Sequence, residues 1–359
     1  MVRVLPRLRR LMRRLAGRPA GSRPTDFVPV RRDGLGPEGD AAEVRRLRVF
    51  FVPGYDRCNY RCPYCITGLD HARRQEWDSS HYLPVIESLA ALDAFLDMVE
   101  LGVGGEPLTS RTILEGVRRL CLSPRVGVVN LVTNLFSGAD DLRAWLGELP
   151  AGKLALACTY HPSNAGDLGA FLDKVCFVRD CGVEVVAGCV AYPPNLPLVA
   201  EMKRRCDALG LPLFVNAFFG EHDGKQYPHG YSDDEREFLR PLVYSEHDFE
   251  YLFVPRNTRG ETCGAGCSAV MVAPNGDCFR CSHEYNDGWP PLGNLLRDGG
   301  LRLLSEYLPC PADHCFCTAE TVNTLHFEER YEHGRNFRLY RRRDDAPDGT
   351  GDTQRGPRA

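Results

Sequence analysis

Leu47-Arg48-Val49-Phe50-Phe51-Val52-Pro53-Gly54 runs almost directly into Cys58-Asn59-Tyr60-Arg61-Cys62-Pro63-Tyr64-Cys65. The first stretch is β-branched and aromatic and closes on Pro-Gly, which predicts a short buried strand. The second sets three thiols within eight residues, in C-x-x-x-C-x-x-C spacing, on the loop that leaves that strand. Thiolate favours zinc and iron–sulfur clusters, so three cysteines on one loop can converge on one soft metal centre. They fall one short of a closed four-thiolate site, and a cluster held here keeps a position open, as catalytic metal sites do. Zinc would need a fourth ligand, for which His71 is the candidate near in sequence. A structural disulfide fits less well, because the count is odd.

Outward from this unit the strand–helix alternation repeats. Strand-like runs are residues 47–52, 99–103, 126–131, 154–159, 183–190 and 213–218. Helical patterns lie between them at 80–95, 112–121, 140–149, 167–181 and 196–209, with Gly182 and Gly210 where helix C-caps belong. Repeated units of this kind predict a parallel sheet with crossover helices, and near-continuous apolar strands fit burial on both faces. Six units are too few for an eight-fold barrel, and an open doubly wound sheet reads alike from periodicity alone.

In parallel α/β folds ligands bind at the carboxyl ends of the strands. The three cysteines follow the first strand, Gly104-Gly105-Glu106-Pro107 the second, Thr133-Asn134 the third and Thr159-Tyr160-His161-Pro162 the fourth. The candidate chemistry therefore falls on one rim. Gly104 and Gly105 permit a close backbone approach and Pro107 fixes the turn. A capping or turn role for Asn134 and a packing role for His161 stand beside ligand contact.

A second cysteine field follows residue 245: Cys263, Cys267, Cys278, Cys281, Cys310, Cys315 and Cys317. Residues 251–254 read as a strand, and 269–281 as a β-hairpin turning at Asn275-Gly276. A hairpin brings flanking cysteines together, so this field points to a second metal site, iron–sulfur or four-thiolate zinc. Cys121, Cys158, Cys176, Cys181, Cys189 and Cys206 are scattered and read as small buried hydrophobes, with Cys158 and Cys189 on strands that could face a lumen.

The chain has 359 residues, 43% of them hydrophobic, and a formal net charge of −4. No apolar run approaches a membrane span, and no secretory signal pattern is present. Ten of the sixteen cysteines are clustered, which points to metal ligation in a reducing, cytoplasmic setting. The first 23 residues hold eight Arg and no acid, a pattern open to an amphipathic surface helix but expected to be a loose extension. The domain reading is an Arg-rich extension over 1–45, a barrel over 46–245, a cysteine-rich auxiliary domain over 246–335 and a disordered tail over 341–359.

The cysteine loop, with Tyr64 before its last thiol, resembles the cluster-binding motif of the radical S-adenosylmethionine (SAM) superfamily, and Gly104–Pro107 resembles that superfamily's GGEP motif. The resemblance implies an α/β fold, a partial (β/α)6 barrel with a small β-hairpin/α auxiliary domain. It implies a [4Fe–4S] cluster on Cys58, Cys62 and Cys65 with one open iron. It also implies SAM contacted by Tyr64, Gly104, Gly105, Glu106 and Pro107, with Thr133, Asn134 and His161 as further contacts.

Cys263, twelve residues, Gly276, four residues, Cys281, and then Leu292-Gly293-Asn294, resemble the SPASM/twitch auxiliary-cluster extension. The ending, Cys310-x(4)-Cys315-x-Cys317, departs from the full SPASM pattern and favours one auxiliary [4Fe–4S] cluster, a second staying open. The ligand set so implied is Cys263, Cys281, Cys315 and Cys317, with Cys310 and Cys267 as substitutes.

By resemblance the activity is reductive SAM cleavage to a 5′-deoxyadenosyl radical and hydrogen abstraction from a sugar-, aminocyclitol- or nucleoside-like small molecule, with net oxidation. Modification or epimerisation of a ribosomal peptide is the alternative, with Cys267 or Cys278 as hydrogen donor, and a zinc-binding non-enzymatic module is a third reading. The implied partner is an electron donor such as flavodoxin or ferredoxin; neither nucleic acid nor a membrane span is expected.

Overall fold

The computed structural model describes residues 27–30, 46–66, 77–243, 246–254, 257–297, 300–313 and 315. Phe27–Val30 (β1) stands apart from the alternation, which opens with Arg46–Phe51 (β2). There follow Tyr82–Ala90 (α1), Phe95–Leu101 (β3), Arg111–Leu122 (α2), Val126–Thr133 (β4), Ala139–Leu146 (α3) and Leu154–Thr159 (β5). Leu168–Asp180 (α4), Glu184–Ala191 (β6), Leu196–Ala208 (α5) and Leu213–Ala217 (β7) complete it.

The strand order settles what periodicity leaves open. β2 to β7 lie side by side in chain order, every neighbouring pair parallel. Right-handed crossovers to the next strand, always in the same direction, put every helix on one face. A doubly wound sheet would reverse that direction at a switch point. The result is the wall of a partial barrel.

Alternate residues of β2 show its two faces. Leu47, Val49 and Phe51 are fully buried in the large core, with Phe51 stacked on Tyr82 of α1 at 5.8 Å and 14°. Phe50 points the other way, against Met98, Val128 and Ala155. All six residues of β5 are buried, as a strand covered on both faces must be. Gly182 and Gly210, at φ +84° and +62°, cap α4 and α5 as their positions predict.

Past the barrel come a small hairpin, Gly220–His222 (β8) and Lys225–Tyr227 (β9), then Asp233–Leu239 (α6), whose Ser232 and Glu235 form a reciprocal capping box. Glu246–Phe253 (α7) corrects the strand expected at 251–254. The apolar run is the end of an amphipathic helix, since Phe249, Leu252 and Phe253 are buried at helical spacing and the two Phe rings stack at 5.8 Å.

Thr262–Cys263 (β10), Ala269–Val272 (β11) and Asp277–Phe279 (β12) follow, then Ser282–Asp287 (α8), Gly293–Asn294 (β13), Leu301–Leu304 (β14) and Leu308–Pro309 (β15). β11 and β12 form the expected hairpin, with Gly276 at φ +82° in its turn. β11 also pairs in parallel with the free edge of β2, Val270 opposite Val49 and Met271 opposite Phe50. One nine-stranded sheet, β13-β12-β11-β2-β3-β4-β5-β6-β7, therefore runs through both cysteine fields. Within the stretch expected to be loose, β1 pairs antiparallel with β14. Tertiary pairing makes a strand there that local composition does not signal. The Arg-rich start and the tail from 341 lie outside the described residues. No helix among the described residues is long and apolar enough to cross a membrane.

Candidate functional site

β2 delivers the three thiols to the rim, all three partly accessible. Their charges act on one another: burial, then Cys65 and Cys58, push the Cys62 thiol up to about 12, and burial raises Cys58 too. Thiols raised in this way ionise more readily beside a cation, which suits a soft metal centre. Amide donors already face the sulfurs. The backbone N–H of Tyr60 donates to Cys58 Sγ at 3.3 Å, and Asn164 Nδ2 to Cys62 Sγ at 3.5 Å. Asn164 Oδ1 accepts the Arg61 N–H at 3.2 Å, so one side chain grips the loop twice. The sequence reading stops at Pro162 and misses this residue, two positions further along the same rim.

The Gly104–Pro107 segment docks on the cysteine loop. The N–H groups of Gly104 and Gly105 both donate to Tyr55 O, at 2.9 and 3.2 Å, and Glu106 N–H donates to Arg57 O at 2.7 Å. A Cβ on Gly105 would lie 1.9 Å from Arg57 O. The glycine that sequence assigns to ligand approach is thus required by the approach of two loops to each other. Pro107 opens a single 3-10 turn, Pro107–Thr109.

Glu106, 1% exposed, ties this loop to the end of β4. Its carboxylate accepts from Leu108 N–H at 3.0 Å, Thr133 Oγ1 at 2.7 Å and Asn134 N–H at 2.6 Å. Burial pushes its pKa up to about 7 against the pull of those donors. Asn134 then reaches back to the cysteine loop, Nδ2 donating to Asn59 Oδ1 at 2.9 Å, while its Oδ1 accepts the Phe136 N–H at 3.1 Å. Leu135 closes that turn at φ +54°, a strained conformation for a branched side chain. Thr133 and Asn134 thus join the site through Glu106.

His161 lies on Tyr64, rings stacked at 5.8 Å and 26°, with Tyr64 OH 3.3 Å from Nδ1. Desolvation pushes the imidazole down to about 4, so it is neutral at pH 7. Tyr64 also packs on Tyr192 at 5.1 Å, and Tyr192 OH lies 3.2 Å from His222 Nδ1. An aromatic wall, absent from the sequence reading, therefore crosses the rim from the cysteine loop to the β8–β9 hairpin. Its members are far apart in sequence and share no motif.

The second field sorts into one buried group and two outsiders. Cys263, Cys281, Cys310 and Cys315 cluster with Ala265 and Ala312. β10 pairs with β15, which sets Cys263 opposite Leu308 and brings Cys310 alongside, and Cys281 stands at the start of α8 after the hairpin. Tyr251 OH of α7 donates to Cys315 O at 2.9 Å. Burial, then Cys315, push the Cys310 thiol up to about 12. Cys310, a substitute in the sequence reading, is in the group; Cys317 lies outside the described residues.

Cys267 stands apart, its Sγ 2.8 Å from Glu306 O, and Cys278 is fully buried in the main core. Cys158 and Cys189 are core residues as well. At neither site do three Cys, His, Asp or Glu side chains among the described residues stand close enough to share a single metal ion. A cubane, which binds thiolates at separate corners, asks less convergence than one zinc.

Fold and rim define a class: an α/β partial barrel with a three-thiol loop after its first strand. Two curated proteins similar over part of the sequence are each named GTP 3′,8-cyclase. The one from Pasteurella multocida (strain Pm70) is 29% identical over 121 residues, 33% of this chain and 35% of that protein. The one from Gloeobacter violaceus (strain ATCC 29082 / PCC 7421) is 36% identical over 107 residues, 28% and 32%. The chain spans about a third of the length of these relatives. No family model matches.

Solved structures with some likeness include anSMEcpe with bound AdoMet and Cp18Cys peptide, over 70% of this chain and 78% of that one (TM-score 0.48, 16% identity). Streptococcus suis SuiB bound to precursor peptide SuiA matches over 71% and 63% (TM-score 0.48, 12% identity). BtrN in complex with AdoMet and 2-DOIA matches over 70% and 80% (TM-score 0.37, 15% identity).

Proposed function

We propose that this protein is a radical SAM enzyme acting on a small molecule, with net oxidation of its substrate. The single observation that carries the reading is the docking of Gly104–Pro107 onto a three-thiol loop at the head of the first barrel strand. Cys58, Cys62 and Cys65 would hold a four-iron cluster, which would supply the one electron that cleaves SAM to a 5′-deoxyadenosyl radical able to take a hydrogen atom from substrate.

The chain's own groups do the rest. The N–H groups of Gly104 and Gly105 are spent on Tyr55 O, so the segment offers its carbonyl oxygens, the partners that the ammonium of SAM needs. Glu106 and Asn134 hold the two loops in register, and Asn164 and the Tyr60 N–H donate to the thiolates. Tyr64, neutral His161 and Tyr192 supply an aromatic, weakly hydrated wall against which an adenine or a substrate ring packs. Cys263, Cys281, Cys310 and Cys315 hold an auxiliary cluster. Four protein thiolates leave that cluster no open iron, which suits electron transfer over substrate ligation. A flavodoxin- or ferredoxin-like donor reduces the first cluster.

Anaerobic reconstitution tests the reading. Wild type should bind two clusters' worth of iron and sulfide and form 5′-deoxyadenosine under dithionite. Cys58→Ala, Cys62→Ala or Cys65→Ala should each abolish that product while the auxiliary iron stays. Zinc in place of iron and sulfide, or full SAM cleavage in any of the three variants, refutes it. For oxidation against epimerisation, Cys267→Ser and Cys278→Ser should retain turnover, and solvent deuterium incorporation lost in either variant would favour epimerisation.

A further inference from the structure

The second cysteine group contains a residue that thiol ligation does not require. Arg280 is 3% exposed, adjacent to Cys281, and bonded to Ala265 of the buried cysteine cluster. Its Nε donates to Ala265 O at 2.9 Å, Nη1 to Pro309 O at 2.9 Å and Nη2 to Leu308 O at 2.6 Å. A guanidinium has five N–H groups. Three are used, so one on each terminal nitrogen is left without a partner among the described residues.

Nor does a carboxylate among the described residues sit within ion-pair distance of it. Glu284 acts through space only, behind Cys263 and Cys281 in its influence. Burying an arginine unpaired is costly unless a counter-charge comes with the mature protein. The carbonyls it bonds belong to residues beside or opposite Cys263 and Cys310, whose thiols become anionic when they bind metal.

We propose that Arg280 is a built-in counter-charge that raises the reduction potential of a cluster held by Cys263, Cys281, Cys310 and Cys315, making this site an electron acceptor. The inference rests on the reading that these four cysteines carry an auxiliary cluster. Reduction adds a negative charge to a buried, already anionic group, and a fixed cation nearby stabilises the reduced form more than the oxidised one. Donors aimed at cluster sulfurs act in the same direction. Arginine keeps its charge at every working pH, so the bias is permanent.

The electron count closes. SAM takes up one electron from the first cluster, and its adenosyl fragment takes one hydrogen atom from a substrate carbon bearing a hydroxyl. The substrate radical then loses one electron to the oxidised auxiliary cluster and one proton to solvent, and a carbonyl forms. A higher potential at the acceptor increases the driving force of that second transfer.

The test uses the full-length chain carrying Cys58→Ala, Cys62→Ala and Cys65→Ala, so that only the auxiliary site reports. Iron and sulfide content and an EPR-monitored redox titration are measured with Arg280 intact, with R280K and with R280Q. R280Q should keep its cluster and titrate at a distinctly lower potential, while R280K, which retains charge but not the fork, should stay near the parent. An unchanged potential in R280Q overturns the proposal, and so does an equal fall in both variants. Should R280Q fail to hold iron, R280K decides: a parent-like potential supports the charge, a fall refutes it. Absence of iron and sulfide from the Arg280-intact protein instead refutes the auxiliary-cluster reading itself.

Discussion

Gly105→Ala is the sharpest perturbation the site allows. A methyl group at this position meets Arg57 O at 1.9 Å, Arg57 C at 2.4 Å and Arg57 N at 2.7 Å, all backbone atoms with no rotamer to give way. Relief needs roughly an ångström of separation between the two loops, in a region packed as densely as the rest of the interior. Overpacking of this kind costs about 1–3 kcal/mol. Separation also stretches the Glu106 N–H to Arg57 O and Gly105 N–H to Tyr55 O bonds, each worth about 1 kcal/mol. The total is about 3–5 kcal/mol if both bonds are lost, placed on the loop that presents Cys58.

The expected result is a lower melting temperature in the anaerobically reconstituted protein, together with loss of iron from the first site and of the EPR change that SAM addition produces. Iron at the second site should be unaffected, because the β10–β15 pair and α8 do not touch this contact. G105A with wild-type melting, full iron and an intact SAM response would show that the glycine is not there to let the loops meet.

Further outcomes follow from the same geometry. Glu106→Gln keeps the shape but turns an amide N–H toward the Asn134 N–H, so it should lower stability by about 1.5–3 kcal/mol; if the carboxylate instead grips the SAM ammonium, SAM affinity by calorimetry will collapse while stability holds. His161 titrates near 4 when folded and about 6.5 when unfolded, so the unfolded chain takes up its proton first. Its contribution is therefore complete above pH 6.5 and is lost as pH falls toward 4, by about 1–3 kcal/mol, and His161→Gln should flatten that part of the stability–pH curve. Cys310→Ser should remove auxiliary iron while Cys267→Ser retains it; the reverse pattern in iron analysis would displace Cys310 from the ligand group.

The strands of the barrel were legible because strands buried on both faces are mostly apolar: β5 is so along nearly its whole length, and β2 and β3 keep apolar runs around Arg48, Asp97 and Glu100. Their order was not legible, since right-handed crossovers give the same local periodicity in either winding. The 251–254 run misled for a related reason: four apolar residues carry no period until Phe249 is counted with them. β1 was invisible because its partner lies more than 270 residues away. At the site, cysteine spacing marked the three-thiol loop, but neither the grip of Asn164 nor the aromatic wall has a linear signature. The guanidinium of Arg280 went unread because one arginine beside a cysteine is unremarkable until burial and its three carbonyl partners are known. Gly105 was singled out for its freedom of close approach, and the backbone of Arg57 is a neighbour that uses it.

The parallel pairing of β11 with β2 has a consequence for how the chain comes into being. On the ribosome, β2 emerges early, and its edge facing β11 stays unpaired while more than two hundred further residues are made. That edge consists of Leu47, Val49 and Phe51 on one side and Phe50 on the other, an aggregation-prone ribbon once a barrel has formed around it. The late hairpin is thus both the carrier of cysteines and the cover for the oldest strand. A fragment ending after β7 would contain the cysteine loop and the Gly104–Pro107 segment, though not His222, and would still present an open apolar edge to its neighbours, so expression of the barrel alone should yield associated material in place of a monomer.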